Sequence, residues 1–460
     1  MLYGTCFGNT RVAALAAAVL LAGVWMPTCG ASAYTLKTLY SFCAKHGCKD
    51  GAQPSTGLLA DQSGNLYGTT LSGGANSPKN GGGTVFELTP GANNTWTYTV
   101  LYSFCSLKKC ADGESPTSAL IMDAAGNLYG TTTAGGPSKD GGNGVAFELV
   151  PNADRSKWTL EVLHAFCSKG GKACSDGGLP GALTYAGAAS GAPYDGTSAL
   201  YGTTANRGAF GPGGVAFQLK PGKNGWAEEV LYDFCSVGGD SCTDGSSPVS
   251  GLIVDGSGNL FGTADGGTRT FGVAFELSPV RKGNWTETVL YNFCSLTNCT
   301  DGAYPNGEML RDASGNLFGT TEGGGGGNCS FGLSNCGIVF KLVPNGASSQ
   351  ETVLHSFCSS DFCADGFFPL AGLTMDSSGN LFGTTYVGGA NKHGNGTFDG
   401  GTVFKLNGTE QVLYNFCTQK DCADGHYASG RVIMDGSGNL FGTTSQGGSA
   451  GAGTLFELTP

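Results

Sequence analysis

The sequence predicts an all-β fold, a seven-bladed β-propeller with four-stranded blades. Three observations carry that expectation. A run close to Gly-Asn-Leu-Tyr/Phe-Gly-Thr-Thr recurs, with its aromatic residue at Tyr67, Tyr129, Tyr201, Phe261, Phe318, Phe382 and Phe441. Its intervals are 62, 72, 60, 57, 64 and 59 residues, the period of a repeat array. Each unit holds four short runs rich in β-branched and aromatic residues, bounded by Gly, Pro, Asn or Asp. Finally, the ends of the array complement each other. Residues 35–42 match a fourth strand with no first three before them, and residues 453–458 match a third strand with no fourth after it. The first run is therefore expected to complete the last blade and close the ring, which a linear solenoid has no reason to do.

Residues 1–33 differ from the rest. Arg11 is their one charged residue, Ala13 to Val24 is a short apolar run, and Ala31-Ser32-Ala33 is a small-x-small site. That pattern predicts a cleaved secretory signal peptide, too short to span a membrane. Cys29 follows Met26-Pro27-Thr28, a poor match to a lipidation site. Residues 34–460 are expected to form the single propeller domain, with no membrane span.

Within a unit, the four strands are expected to resemble Gly57–Asp61, Asn65–Thr70, Thr84–Leu88 and Tyr98–Phe104. Asp61-Gln62-Ser63-Gly64-Asn65 reads as a tight hairpin turn with Gly64 at positive φ. In the fourth strand, alternation places Val100, Tyr102 and Phe104 on one face and Leu101, Ser103 and Cys105 on the other. The third repeat lacks the tight turn and carries an insertion at 186–197 instead.

Composition limits the alternatives. With 81 Gly, 17 Pro and only 13% charged residues the chain is turn-rich, while 40% hydrophobic and 10% aromatic content is enough to fill cores and excludes general disorder. The glycines have no three-residue period, which excludes collagen. The net charge of −11 argues against nucleic acid and against anionic membrane surfaces as main partners.

The cysteines fall in pairs. Seven follow the fourth strands: Cys43/Cys48, Cys105/Cys110, Cys167/Cys174, Cys235/Cys242, Cys294/Cys299, Cys358/Cys363 and Cys417/Cys422. An eighth, Cys329/Cys336, lies inside a loop of the fifth repeat. Metal sites favour two-residue spacing in converging pairs, or added His ligands. Here the spacing is four or six, only five His exist, and the chain reads as exported, so local disulfides are expected, with no metal and no cofactor.

Taken together, Val-Leu-Tyr-x-Phe, Asp-Gly-x-x-Pro, Asp-x-x-Gly-Asn-Leu-Tyr/Phe-Gly-Thr-Thr and Gly-x-Val-Phe-Glu/Lys-Leu resemble the GloVer-type tandem-repeat proteins of bacteria. The resemblance covers nearly all of residues 34–460. It implies an exported protein, often with a C-terminal surface anchor, and no established activity. Because Pro460 follows the last strand, a free secreted or periplasmic protein is expected here.

Candidate site residues lie on the face shared by the disulfide loops and the Gly-rich loops after Thr-Thr. Asp50, Asp112, Asp176, Asp244, Asp301, Asp365 and Asp424 recur there, either as a cation-attracting ring or as turn residues that bind nearby backbone. Positions that break the repeat are more informative. Where other units have Gly57, Ala119, Gly251 or Gly372, the fifth has Glu308 and the seventh Arg431. Arg311 replaces a small or apolar residue, Glu322 follows Thr-Thr, and His393 and Asp399 occupy a long Gly-rich loop. Repeats five to seven are thus the expected ligand-binding sector, with repeat drift as the alternative. His164 and His355 stand where other repeats place Tyr and read as packed strand residues, and the recurring Trp96, Trp158, Trp226 and Trp285 serve packing or sugar stacking. No phosphate-binding loop or nucleophile elbow is present in the sequence.

The functional expectation is an exported, monomeric binding module for a carbohydrate or another exported or surface protein. The alternatives are a glycosidase or lyase using Glu308 with Glu322 or Asp399, and a structural envelope protein.

Overall fold

Seven small antiparallel sheets follow one another around a ring, each with the same strand order. The computed structural model describes residues 34–460 apart from 77–80, 138–141, 170, 172–173, 224, 269–270, 327–335, 347 and 391–399. In the first blade, Leu59–Ala60, Leu66–Thr70, Thr84–Pro90 and Trp96–Ser103 pair in sequence order from the axis outward. In the last blade, Thr35–Ser41 lies antiparallel to Thr454–Thr459, with Thr35 opposite Thr459, so the N-terminal strand completes the ring. Among the described residues no helix is long and apolar enough to cross a membrane.

Local chemistry explains the strands and their limits. The Asp61 carboxylate accepts the Ser63 and Asn65 amides at 2.8 and 2.9 Å, and Gly64 takes φ +80°, so the chain reverses in the expected tight turn. The first strand is shorter than its sequence suggests. In the second blade it is split into Glu114–Pro116 and Ile121–Met122, both paired to Leu128–Ala134, with the residues between them leaving the ladder.

The fourth strand also departs from strict alternation. Each blade carries a β-bulge at one leucine, Leu101 in the first, where Phe86 faces Val100 and Val85 faces Tyr102. Such a bulge re-aims the following side chain. Here that is Tyr102, whose hydroxyl donates to Asp112 at 2.8 Å.

Two residues of the Gly-Thr-Thr run explain how blades pack and join. A Cβ on Gly68, Gly262 or Gly442 would lie 2.6 Å from the Cζ of Phe86, Phe275 or Phe456 on the adjacent third strand, so the glycine leaves room for a buried ring. The first threonine of each run bonds across to the next blade. Thr69, Thr131, Thr203, Thr263, Thr320, Thr384 and Thr443 donate from Oγ1 to the carbonyls of Ser118, Gly181, Ser250, Pro305, Ala371, Gly430 and Thr56, at 2.8–3.5 Å. Leucine and aromatic side chains fill the space between blades, as Phe234, Leu252 and Phe275 do between the third and fourth.

The seven recurrent aspartates are structural. All are at least 95% buried. Asp112, for example, receives the Tyr102 hydroxyl, the Ser106 amide and hydroxyl, and the Leu107 amide. His164 and His355 take the place of the tyrosine, 3.2 and 3.4 Å from Asp176 and Asp365. Burial pushes the Asp365 carboxyl upward, but hydrogen bonds from His355 and Ser360 outweigh it and hold the group well below the usual range.

Beside each aspartate a disulfide closes the loop. The seven expected after the fourth strands are all formed: Cys43–Cys48, Cys105–Cys110, Cys167–Cys174, Cys235–Cys242, Cys294–Cys299, Cys358–Cys363 and Cys417–Cys422. The second cysteine of every pair sits at positive φ, from 42° at Cys242 to 52° at Cys363, with Cys174 and Cys299 both at 51°. Its carbonyl then accepts the amide of the glycine after the aspartate. Gly177, Gly245 and Gly302 donate in this way to Cys174, Cys242 and Cys299 at 2.8–3.0 Å. These cysteines are staples of the turn. Of the eighth pair, Cys336 is disulfide-bonded and Cys329 lies outside the described residues.

Four glutamates stand against the aspartates from the next blade, of which Glu228 is ion-paired with Lys169. Burial, with the charge of Asp244 and Asp301 respectively, raises Glu287 and Glu351 from 4.5 to about 7. Glu410 also rises to about 7, through burial opposed by His355 and reinforced by Asp365.

Gly262→Ala would force a methyl into the Phe275 ring and should lower stability by about 1–3 kcal/mol, read from the denaturant midpoint. The glutamates predict a pH dependence. The folded chain binds more protons than the unfolded chain at Glu287, Glu351 and Glu410, so their contribution is complete below pH 4.5 and is lost as pH rises through about 7. The melting temperature should therefore fall between pH 5 and 8, and a Glu287→Gln/Glu351→Gln/Glu410→Gln variant should show a flatter dependence over that window.

Candidate functional site

The inner segments of all seven blades line a central channel, part of a cavity of about 1420 Å³. The equivalent wall positions are Gly57, Ala119, Ala182, Gly251, Glu308, Gly372 and Arg431. Five have little or no side chain, which leaves the lumen open and lets Glu308 and Arg431 reach toward each other. Their Oε2 and Nη1 atoms are 3.7 Å apart, and each side chain keeps about 35% of its surface open to the lumen. A Cβ on Gly372 would lie 2.7 Å from the Glu308 carbonyl, so the intervening blade must be small there. The enclosing walls raise the Glu308 pKa and Arg431 lowers it, the walls prevailing. Arg431 also donates from Nε to Thr374 Oγ1 at 3.3 Å, which orients its guanidinium.

The other expected residues separate. Arg311 lines the same channel but is held by Asp255 at 4.0 Å and lies over the Phe261 ring at 5.5 Å, bridging the fourth and fifth blades. Glu322 lies at the loop-face end and accepts a hydrogen bond from Asn306 Nδ2 at 3.3 Å. Asn306 stands two residues before Glu308 and also lines the channel, which links the two positions. His393 and Asp399 lie outside the described residues.

Sequence reasoning missed Asp265. It occupies the position of Glu322 one blade earlier, after Thr263-Ala264 rather than Thr-Thr. Burial raises its carboxyl to about 6, and the charge of Glu322 adds to the rise. The aromatic residues of the same face were missed too. The second residue after each Asp-Gly is Gln53, Ser115, Leu179 or Ser247 in the first four blades, but Tyr304, Phe368 and Tyr427 in the last three. That position has positive φ in all seven blades, 56°, 56° and 62° at the three aromatics, so a bulky side chain there sits in a backbone conformation such residues rarely adopt. Tyr427 stacks on Tyr386, ring centroids 4.5 Å apart and 11° from parallel, and Tyr386 follows Thr-Thr as Asp265 and Glu322 do after their own runs.

The opposite end of the channel is covered differently. The insertion of the third repeat crosses from a backbone bridge between Tyr194 and Asp123 in the second blade to contacts of its Ala188–Ser190 turn with Ile253–Val254 in the fourth. Ala188, Ala189 and Ala192 border the cavity there. Tyr194 anchors the insertion, 99% buried and edge-on to Tyr129 at 5.1 Å.

The recurring tryptophans pack at the blade boundaries, Trp96 against Phe441 and Trp226 against Tyr129. The sulfur atoms of Cys336, Cys358 and Cys363 cluster with metal-like spacing, as do Cys105, Cys110 and Glu114, but all five cysteines are disulfide-bonded and offer no thiolate.

Comparison with solved structures returns matches at low identity and TM-scores below 0.5. An extracellular domain assigned to a hybrid two-component system of B. thetaiotaomicron matches at 10% identity and TM-score 0.48, over 92% of this chain and 39% of its own. This chain thus spans about two fifths of that protein's length. The polysaccharide lyase Uly1 matches at 8% and TM-score 0.46, over 88% and 90% of the two chains. The α-L-arabinanase of Penicillium chrysogenum, solved with arabinobiose, matches at 11% and TM-score 0.42, over 74% and 92%. At these values none of the three bears on the chemistry of this chain. No curated protein matches in sequence. The repeat itself is specific: residues 28–197 and 329–460 match the profile of the Gloeobacter/Verrucomicrobia repeat, and the chain belongs to that family.

Proposed function

We propose that this protein is an exported binding module, with residues 1–33 as its leader and 34–460 as its working unit, that takes a carbohydrate at the loop-face mouth of its channel. The observation that carries the reading is the coincidence of two departures from sevenfold repetition. Aromatic side chains replace non-aromatic ones at Tyr304, Phe368, Tyr386 and Tyr427, and carboxylates stand on the same face at Asp265 and Glu322. Aromatic faces stack on the C–H surface of a sugar while carboxylates and amides such as Asn306 bind its hydroxyls. Glu308 and Arg431 extend the polar surface into the channel. Seven local disulfides suit an oxidising compartment.

The test is a glycan-array screen of the wild type, a Tyr427→Ala/Glu322→Gln variant and a Glu308→Ala/Arg431→Ala variant. We expect at least one glycan to bind and the mouth variant to lose roughly tenfold or more in affinity while melting as the wild type does. Absence of any glycan ligand, or full binding by both variants, would remove the basis for this reading.

Asp265 supports a second reading, glycoside cleavage. A carboxyl held to about 6 beside the Glu322 carboxylate supplies an acid and a base on adjacent blades. Turnover of a bound glycan should then decline as pH rises through about 6, and Asp265→Asn should reduce kcat by ~100-fold with little change in binding. A bound glycan that is never cleaved leaves the protein a binding module.

A further inference from the structure

The loop face has a second asymmetry, at its rim. Among the described residues, all five large hydrophobic side chains that are more than half exposed lie on this face: Leu107 at 56%, Phe210 at 58%, Val237 at 54%, Leu296 at 53% and Phe362 at 75%. Phe210 belongs to the loop between strands Leu200–Asn206 and Val215–Gly222, and the other four sit in disulfide loops. Lysines stand in or beside the first, second and seventh of these loops. Lys45, Lys49, Lys108, Lys109 and Lys420 are exposed, and none forms an ion pair among the described residues.

Two of these tips are held outward by buried aspartates. Asp112 and Asp301 accept the backbone N–H of Leu107 and Leu296, and Asp50 that of Lys45, each at 3.1 Å. The disulfide closes the same short loop, so little conformational freedom remains to be lost on contact.

We infer that the rim of the loop face docks on an anionic lipid surface, its apolar tips entering the interface and its lysines meeting the headgroups. The chain's net charge of −11 opposes such a contact in general and Asp421 is exposed beside Lys420, but the first two disulfide loops carry Lys45, Lys49, Lys108 and Lys109 with no exposed carboxylate among them. A protein partner would need the apolar residues clustered into one hot spot, whereas these tips are distributed over separate loops of different blades. Sugar stacking would need aromatic faces, and three of the five tips are Leu or Val. A fluid interface accepts separated tips on one face, and lysines add attraction to anionic lipid. The inference stands apart from the carbohydrate reading, which concerns the channel mouth inside this rim.

The experiment is co-sedimentation with phosphatidylcholine vesicles, with and without phosphatidylglycerol. Because the apolar run of residues 13–24 would itself bind lipid, the full chain and a chain starting at Tyr34 are compared. We expect the chain from Tyr34 to sediment with the anionic vesicles and to be released by salt. Leu107→Ser/Leu296→Ser/Phe362→Ser should weaken partitioning roughly tenfold or more, with Phe362→Ser alone as a milder control for folding. Lys45→Gln/Lys49→Gln/Lys108→Gln/Lys109→Gln should weaken it roughly fivefold per lysine. The mouth variant Tyr427→Ala/Glu322→Gln should sediment as the wild type does, so that failure here and failure of the glycan reading stay distinct. No association with anionic vesicles, or association indifferent to the tips, overturns the inference. Capture by soluble polyuronate that depends on the lysines and not on the tips overturns it in favour of an acidic polymer.

Discussion

The hydroxyl of one threonine per repeat is the contact on which the ring depends. From Thr69 round to Thr443, each donates to a main-chain carbonyl of the next blade, and the Thr443–Thr56 bond joins residues 387 apart in sequence. The acceptor carbonyls lie on the inner segment, which is too short and interrupted to satisfy all its polar groups within its own sheet. One hydroxyl thus closes a buried polar group and fixes the spacing of two sheets. The preceding glycine admits the third-strand phenyl ring, so the same short motif sets both the polar and the apolar contact between neighbours. Apolar burial supplies most of the cohesion, but the hydrogen bonds decide which segment faces which.

The repeat was legible in the sequence because the elements that carry it are local: four strand-like runs, a tight turn and a pair of cysteines per unit. The leucine bulge was not, because a bulge keeps the apolar alternation while changing which residue faces the partner strand. Glu308 and Arg431 were visible as charges in a column of small residues, yet only the structure brings them within 3.7 Å. Asp265 was hidden because Ala264 breaks the Thr-Thr anchor that marked Glu322. Tyr304, Phe368 and Tyr427 were hidden for another reason. Their position varies around the ring, and its positive φ cannot be read from residues that do not favour it.

Sevenfold architecture and onefold chemistry coexist through a division of positions. Residues that hold blades together recur all round the ring, as the buried aspartates do. Residues free of that duty vary, and their variations are not scattered evenly. Carboxylates and aromatics gather on the fourth to seventh blades, while four of the five exposed lysines without an ion pair at the rim fall between the seventh and second. The insertion of the third repeat adds a further inequality by covering part of the end opposite the loop face. A symmetric frame thereby presents a face with distinct sectors.

Closure by the first strand has a kinetic consequence. Thr35–Ser41 must wait for Thr454–Thr459, the last strand of the ring to be made, whereas each of the seven loop disulfides joins cysteines five or seven residues apart and can form as its own loop appears. Oxidation is thus local and early, and ring closure is long-range and late. Until that final pairing, the two edges of the unfinished array remain open to proteases and to other chains, so the step that completes the fold also ends its period of greatest vulnerability.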